Sequence, residues 1–138
     1  MERQLAAILA ADMVGYTSRM EQDETGTLSA LSTCIDGIIT PLIDRHRGRI
    51  VKLMGDGLLA SFSSAADAVS CAVEWQQTSA KAPGSIRFRI GINLGDIIMQ
   101  DGDVFGSGVN LASRLEQLAP PGGVLVSDAV YRVVVLAP

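Results

Sequence analysis

The feature that most constrains this fold is an unbroken apolar run near the start of the chain that ends in a carboxylate. Residues 5–11 are all Leu, Ala or Ile, and Asp12 follows them directly. A strand without polar alternation is covered on both faces, so we predict a central strand over residues 5–14. An unpaired charge beside a core is costly, and a carboxylate at this point therefore indicates that it has a partner.

Helix and strand signals alternate along the rest of the chain. The apolar spacing of Leu28, Leu31, Ile35, Ile38 and Leu42 predicts one long amphipathic helix over 27–46, which Pro41 should kink. We then expect a hairpin over 49–62, a helix over 65–80 capped by Ser64, a strand from 86, a helix over 106–118, a strand over 124–126 and a last helix from 128.

The order β-α-β-β-α-β, followed by further elements, predicts an α+β fold with a ferredoxin-like core. In that core an antiparallel-rich sheet carries helices on one face. The 138 residues suit a single domain, and a hydrophobic content of 48% indicates a packed interior. We therefore expect one domain over residues 1–138.

Composition argues against several functional classes. The net charge is −4, from 11 basic and 15 acidic residues, so no basic excess exists to cover a nucleic-acid backbone. No unbroken apolar run approaches the roughly 20 residues that cross a bilayer. Cys34 and Cys71 stand far apart in apolar helix patterns, which favours two reduced thiols. We expect a soluble, cytoplasmic domain with no membrane contact of its own.

Asp12 and Asp56 both lie where a strand gives way to a turn. Two such aspartates suit a hard divalent cation that holds a nucleoside triphosphate. The amides of residues 14–16 could then face phosphate oxygens at a helix entrance. Each residue alone also has a simpler interpretation: Asp12 as a cap, Asp56 as part of a Gly-Asp-Gly turn, and Lys52 as a solvated strand residue.

A third polar group lies on the helix predicted over 106–118. Asn110 and Arg114 are four residues apart and share one helix face, where an amide and a guanidinium could grip a ribose and a phosphate. A solvated helix face is the alternative. Leu111, Leu115 and Leu118 occupy the adjacent face, which we expect to be core.

Taken together, these groups resemble the class III nucleotidyl cyclase catalytic domain, in wording close to its bacterial branch. Residues 11–17 read Ala-Asp-Met-Val-Gly-Tyr-Thr, against the family's Ala-Asp-x-x-Gly-[Phe/Tyr]-Thr. Residues 52–56 match Lys-x-x-Gly-Asp. Residues 103–114 match Asp-x-x-Gly-x-x-Val-Asn-x-Ala-Ser-Arg at every fixed position. The resemblance runs from about residue 5 to residue 126.

The resemblance implies a role for each matched residue. Asp12 and Asp56 should hold two Mg²⁺ or Mn²⁺ ions, and Lys52 and Asp103 should read the adenine edge of ATP. Asn110 should orient the ribose, and Arg114 should stabilise charge on the α-phosphate. Further substrate contacts are implied for Val14, Gly15, Tyr16 and Thr17.

The implied reaction is in-line attack of the ribose 3′-oxygen on the α-phosphorus of ATP, which gives cyclic AMP and pyrophosphate. In this family the metal aspartates come from one subunit and the other groups from its partner, so the resemblance implies a homodimer with shared sites. The family domain continues for several tens of residues and supplies a lysine for the terminal phosphates, so we expect the domain to be incomplete at its C-terminus. A catalytically silent nucleotide-binding or dimerisation module and a guanylate cyclase are the alternatives.

Overall fold

A curled, mostly antiparallel sheet organises the computed structural model, which describes residues 2–82 and 86–136. Its elements in chain order are β1 (Glu2–Met13), α1 (Tyr16–Gln22), α2 (Glu24–Cys34), a π-helical turn (Ile35–Ile39), α3 (Thr40–Arg45), β2 (Arg49–Met54), β3 (Gly57–Phe62), α4 (Ala65–Lys81), β4 (Phe88–Gln100), β5 (Asp103–Phe105), α5 (Ser107–Leu118), β6 (Val124–Val126) and α6 (Asp128–Leu136).

The strand order confirms the predicted ferredoxin-like core. Within the described residues the sheet runs β2-β3-β1-β4-β5, all antiparallel, and β6 joins β4 in parallel. The predicted central strand, β1, pairs with β4 along its whole length, from Glu2 opposite Met99 to Met13 opposite Phe88. The β1–β4 pair therefore forms the centre of the sheet, and the other strands pair on either side of it.

Alternate side chains of β1 enter two separate apolar clusters, because successive residues of a strand point to opposite faces. Ala7, Leu9 and Ala11 pack beneath the helices of the ferredoxin-like core, as predicted. The other set, Ala6, Ile8 and Ala10, packs with Val109 and Ala112 of α5. Helix α5 follows the core in the chain and lies on the opposite face of the sheet. Asp12, two residues after Ala10, lies on this same face of β1.

The long helix predicted over 27–46 is interrupted by the π-helical turn, whose last bond runs from the Thr40 N–H to the Ile35 carbonyl. Pro41, which lacks an N–H, follows at the second position of α3, where it breaks no bond of the new helical segment. A π turn contains one residue more than an α turn, so the residues after it that face the core are one position later than predicted. Ile39 and Ile43, which follow the predicted Ile38 and Leu42, are therefore buried. The prediction was wrong for Leu28, which is 45% exposed.

Residues Glu24–Arg45 form the one helical stretch, among the described residues, with the length and composition to cross a membrane. The stretch buries Leu31, Leu42 and Ile43 in the main apolar cluster of the sheet. A core helix of a soluble protein passes the same test of length and composition, so this stretch is weak evidence for a membrane span.

Candidate active site

The structure brings Asp12 and Asp56 together at one end of the sheet. Asp12 pairs in register with Gly57, and the Met13 N–H donates to the Asp56 carbonyl oxygen at 2.7 Å. A Cβ on Gly57 would collide with the carbonyl oxygen of Ala11, so only glycine lets the hairpin turn lie this close to β1. The turn and the strand end therefore hold the two carboxyl groups as neighbours.

Asp12 forms no ion pair with a cationic side chain among residues 2–82 and 86–136, although Arg89 lies near enough to act on its charge. The Oδ1 atom of Asp12 is buried and accepts no hydrogen bond from the part of the chain that the structure describes. Burial raises the pKa of Asp12 and the charge on Asp56 adds to this, while contact with Glu116 and the guanidinium of Arg89 act in the opposite direction. A divalent cation between the two aspartates would relieve both the burial cost and the repulsion, so this pair fits the predicted metal role.

Two further residues complete this group, and sequence reasoning missed both. Arg89 lies directly opposite Asp12 in the sheet, and its Nε donates to the Ala119 carbonyl oxygen at 3.0 Å. Glu116 of α5 is only 8% exposed, and its Oε2 has no hydrogen-bond donor. Burial raises the pKa of Glu116 to about 7, with the charges of Asp12 and Asp56 adding to the rise.

Glu116 escaped prediction because the wrong face of α5 was assigned to the core. Leu111 and Leu118 are 41% and 75% exposed, whereas Val109, Ala112 and Glu116 face the sheet. The helix packs directly over Gly91 of β4, where a Cβ would collide with the backbone of α5. The spacing of three and four residues from Val109 through Ala112 to Glu116 was the available signal.

Because the pKa of Glu116 is raised, we expect the stability of the metal-free protein to fall as the pH rises. Glutamate in the unfolded chain titrates near 4.5, against about 7 in the fold. Between these values the folded protein keeps a proton that the unfolded chain has released, so stability present at lower pH is lost as pH rises through 7. Urea unfolding in EDTA across this range measures the slope. Glu116→Gln should flatten it, and an unchanged slope in that variant would contradict the assignment.

Lys52 and Asp103 form a second group. The Lys52 Nζ lies 3.2 Å from Asp103 Oδ2, although β2 and β5 are the two edges of the sheet path. The curl of the sheet closes this distance. The Val104 N–H donates to Asp103 Oδ1 at 2.7 Å, and this bond, followed by Lys52, holds the pKa of Asp103 below its usual value. The structure therefore places an ammonium group beside a carboxylate that is ionised at neutral pH.

Asn110 and Arg114 project from the exposed side of α5, away from the sheet. Their side chains make no hydrogen bond or ion pair with any residue in 2–82 or 86–136. Across the same ranges no such contact joins Asp12 or Asp56 to Lys52, Asn110 or Arg114. The predicted site residues thus lie in three groups, between which no hydrogen bond or ion pair forms within residues 2–82 and 86–136: Asp12 with Asp56, Lys52 with Asp103, and Asn110 with Arg114.

The loop after Asp12 corrects one expectation. The Val14 N–H donates to the Arg87 carbonyl oxygen at 2.8 Å, so this amide is not available to a phosphate. Gly15 has φ 73° and precedes α1, which begins at Tyr16. The amides of Tyr16 and Thr17 lie in the first helical turn, whose N–H groups have no intrahelical partner.

Comparison with known proteins shows similarity over nearly the whole chain. The family model described as "Adenylate and Guanylate cyclase catalytic domain" matches residues 2–136. A solved structure, an adenylate/guanylate cyclase/hydrolase from Silicibacter pomeroyi, superposes with a TM-score of 0.89 at 43% identity, over 100% of this chain and 83% of the other.

Two curated relatives are similar over nearly the whole chain. "Putative adenylate cyclase 3" of Rhizobium meliloti (strain 1021) is 47% identical over 97% of this chain, which spans 24% of that protein. "Adenylate cyclase" of Streptomyces coelicolor is 37% identical over 94% of the chain and 34% of its own length. The chain thus spans between a quarter and a third of these relatives.

Proposed function

Since the chain belongs to the family of adenylate and guanylate cyclase catalytic domains, we propose that it is the catalytic domain of an adenylate cyclase, which converts ATP to 3′,5′-cyclic AMP and pyrophosphate. The observation that carries the choice of ATP is the contact between Lys52 and Asp103. We also place the domain in the cytoplasm and assign residues 1–138 to it.

Lys52 and Asp103 present the donor and acceptor that adenine requires. An ammonium group donates to a ring nitrogen of adenine, and a carboxylate accepts from its exocyclic amine. Guanine offers a carbonyl oxygen at the position of that amine, which an ionised Asp103 would repel. The hydrogen bond from Val104 keeps Asp103 ionised, and this supports the acceptor role.

Asp12 and Asp56 would hold Mg²⁺ or Mn²⁺, two ions to a site. Bound divalent cations supply charge for the phosphates and lower the pKa of the attacking 3′-hydroxyl. The buried Oδ1 of Asp12, which has no hydrogen-bond donor, supports this role. The amides of Gly15, Tyr16 and Thr17 would lie against the phosphates, whereas the Val14 amide is already bonded within the fold.

Asn110 and Arg114 would do the remaining positioning work. The Asn110 amide orients the ribose so that the 3′-oxygen stands in line with the α-phosphorus, and the Arg114 guanidinium stabilises charge on the α-phosphate as pyrophosphate leaves. The one histidine of the chain, His46, contacts Glu74 at 2.8 Å at the end of β2 remote from Asp56. We therefore assign no side chain as general base.

We assign the site to a homodimer, because within residues 2–82 and 86–136 no hydrogen bond or ion pair joins Asp12 or Asp56 to the other predicted site residues. In the dimer, Asp12 and Asp56 of one subunit would face Lys52, Asp103, Asn110 and Arg114 of the partner subunit. Exposed apolar side chains adjoin these residues and support an interface at this place: Leu53, Met54, Phe105 and Leu111. Each dimer would then carry two equivalent sites.

The proposal is tested by incubating the full-length protein with ATP and Mn²⁺ and measuring cyclic AMP, with GTP as the parallel substrate. We expect cyclic AMP, and a higher kcat/KM for ATP than for GTP. A dimer that binds ATP and Mn²⁺ without product would instead support a silent regulatory module, and preference for GTP would support a guanylate cyclase.

A further inference from the structure

A carboxylate occupies the sheet-facing side of α5, where its neighbours are apolar. Val109 and Ala112 belong to the second apolar cluster, and Glu116, four residues on, is 8% exposed. Burying a carboxyl group costs free energy unless a partner compensates, and Glu116 Oε2 has no hydrogen-bond donor. Packing alone does not account for a glutamate at this position.

Glu116 meets the metal aspartates of its own chain. Asp12 and Arg89, which pair across the sheet, lie on the face that α5 covers, and the Arg89 bond to Ala119 brings this pair to the turn of α5 that carries Glu116. The carboxyl group of Glu116 interacts there with that of Asp12 and with the charge of Asp56. Arg89 is the cation that offsets this group. When all are ionised, the three carboxylates and the one guanidinium carry a net charge of −2. A divalent cation would neutralise this charge.

The position of Glu116 is rigidly set. Gly91 lets the α5 backbone lie against β4 directly beneath this residue, because any side chain there would collide with the Glu116 amide nitrogen. Arg89, which pairs with Asp12, ties the sheet to the end of α5 through its bond to Ala119. Strand and helix therefore hold the two carboxyl groups in a constant relation.

We propose that Glu116 is a positioning residue of the metal centre, which acts through Asp12: its negative charge, buried next to the Asp12 carboxylate, strengthens divalent-ion binding. The inference rests on the proposed metal role of Asp12 and Asp56. We do not assign Glu116 as a third ligand of the ion, because the described residues contain no three carboxylates placed to hold one ion. Outer groups of this kind orient a ligand and tune the affinity of the site.

The first test measures Mn²⁺ affinity by electron paramagnetic resonance, with no turnover involved. Glu116→Gln keeps the shape and removes the charge, and it should weaken Mn²⁺ binding about 10- to 100-fold. Glu2→Gln is the matched control. It makes the same change in net charge at the far end of β1, about 30 Å away by strand rise, and should leave the affinity unchanged.

Asp12→Asn serves as the reference. If it weakens Mn²⁺ binding and Glu116→Gln does not, the proposed role of Glu116 is overturned while the metal site stands. If Asp12→Asn leaves the affinity unchanged, the metal assignment fails and takes the role of Glu116 with it.

The second test uses mixed dimers in which only one of the two active sites is intact. One chain carries Arg114→Ala and supplies intact Asp12 and Asp56; the other carries Asp56→Asn and supplies intact Arg114. Glu116→Gln should lower cyclic AMP formation when it is in the chain with the intact aspartates, and should have no effect in the other chain. A general structural defect would act from either chain, and equal effects from both positions overturn the proposal.

Discussion

Mixing an Asp56→Asn protein with an Arg114→Ala protein should restore cyclic AMP formation that neither protein shows alone. Each single variant should lose about a thousandfold in kcat, since a metal ligand or a phosphate-binding cation contributes several kcal/mol to the transition state, at 1.4 kcal/mol per tenfold. In a random mixture half of the dimers pair the two variants and hold one intact site. Activity should therefore recover to about a quarter of the wild-type value.

We expect this recovery because Asp56 and Arg114 of one chain belong to different active sites of the dimer. Light scattering on each variant should first show that it still forms dimers, and the mixture should be given time to exchange subunits. Activity that stays at the level of the single variants after exchange would contradict the shared site. High activity in either variant alone would contradict the role assigned to its residue.

Exchanging the two proposed base-reading residues should move substrate preference from ATP toward GTP. Lys52→Glu with Asp103→Cys removes the donor and the acceptor that suit adenine and places a carboxylate where it can accept from guanine. Hydrogen bonds to charged groups contribute about 1.5 to 3 kcal/mol each, so two of them change the ratio of kcat/KM values by about a hundredfold to ten-thousandfold. Steady-state rates with both nucleotides measure this ratio.

The single replacements are the controls for this exchange. Lys52→Glu alone would set a carboxylate beside Asp103, now 3.2 Å from an ammonium group, and should lower activity with both nucleotides. An ATP preference that survives the double exchange would refute the proposed roles in base reading.

Much of the fold followed from local pattern. The apolar run of β1, the hairpin turn around Asp56 and the Ser64 cap, whose side chain accepts from the Asp67 N–H, each depend on residues close in sequence. The helix over 27–46 was less predictable, because hydrophobic spacing assumes one helical period and the π turn at Ile35–Ile39 breaks it.

The sequence by itself determined which chemical groups this protein has and where each motif begins: Asp12 after a buried strand, Asp56 in a glycine turn, and Asn110 and Arg114 on one helix face. Only the tertiary structure decided which groups meet. The curl of the sheet brings Lys52 to Asp103 across 51 residues of chain, and α5 crossing at Gly91 brings Glu116 to Asp12. Such contacts depend on strand register, sheet curvature and the rotation of one helix, none of which is encoded in the spacing of a motif.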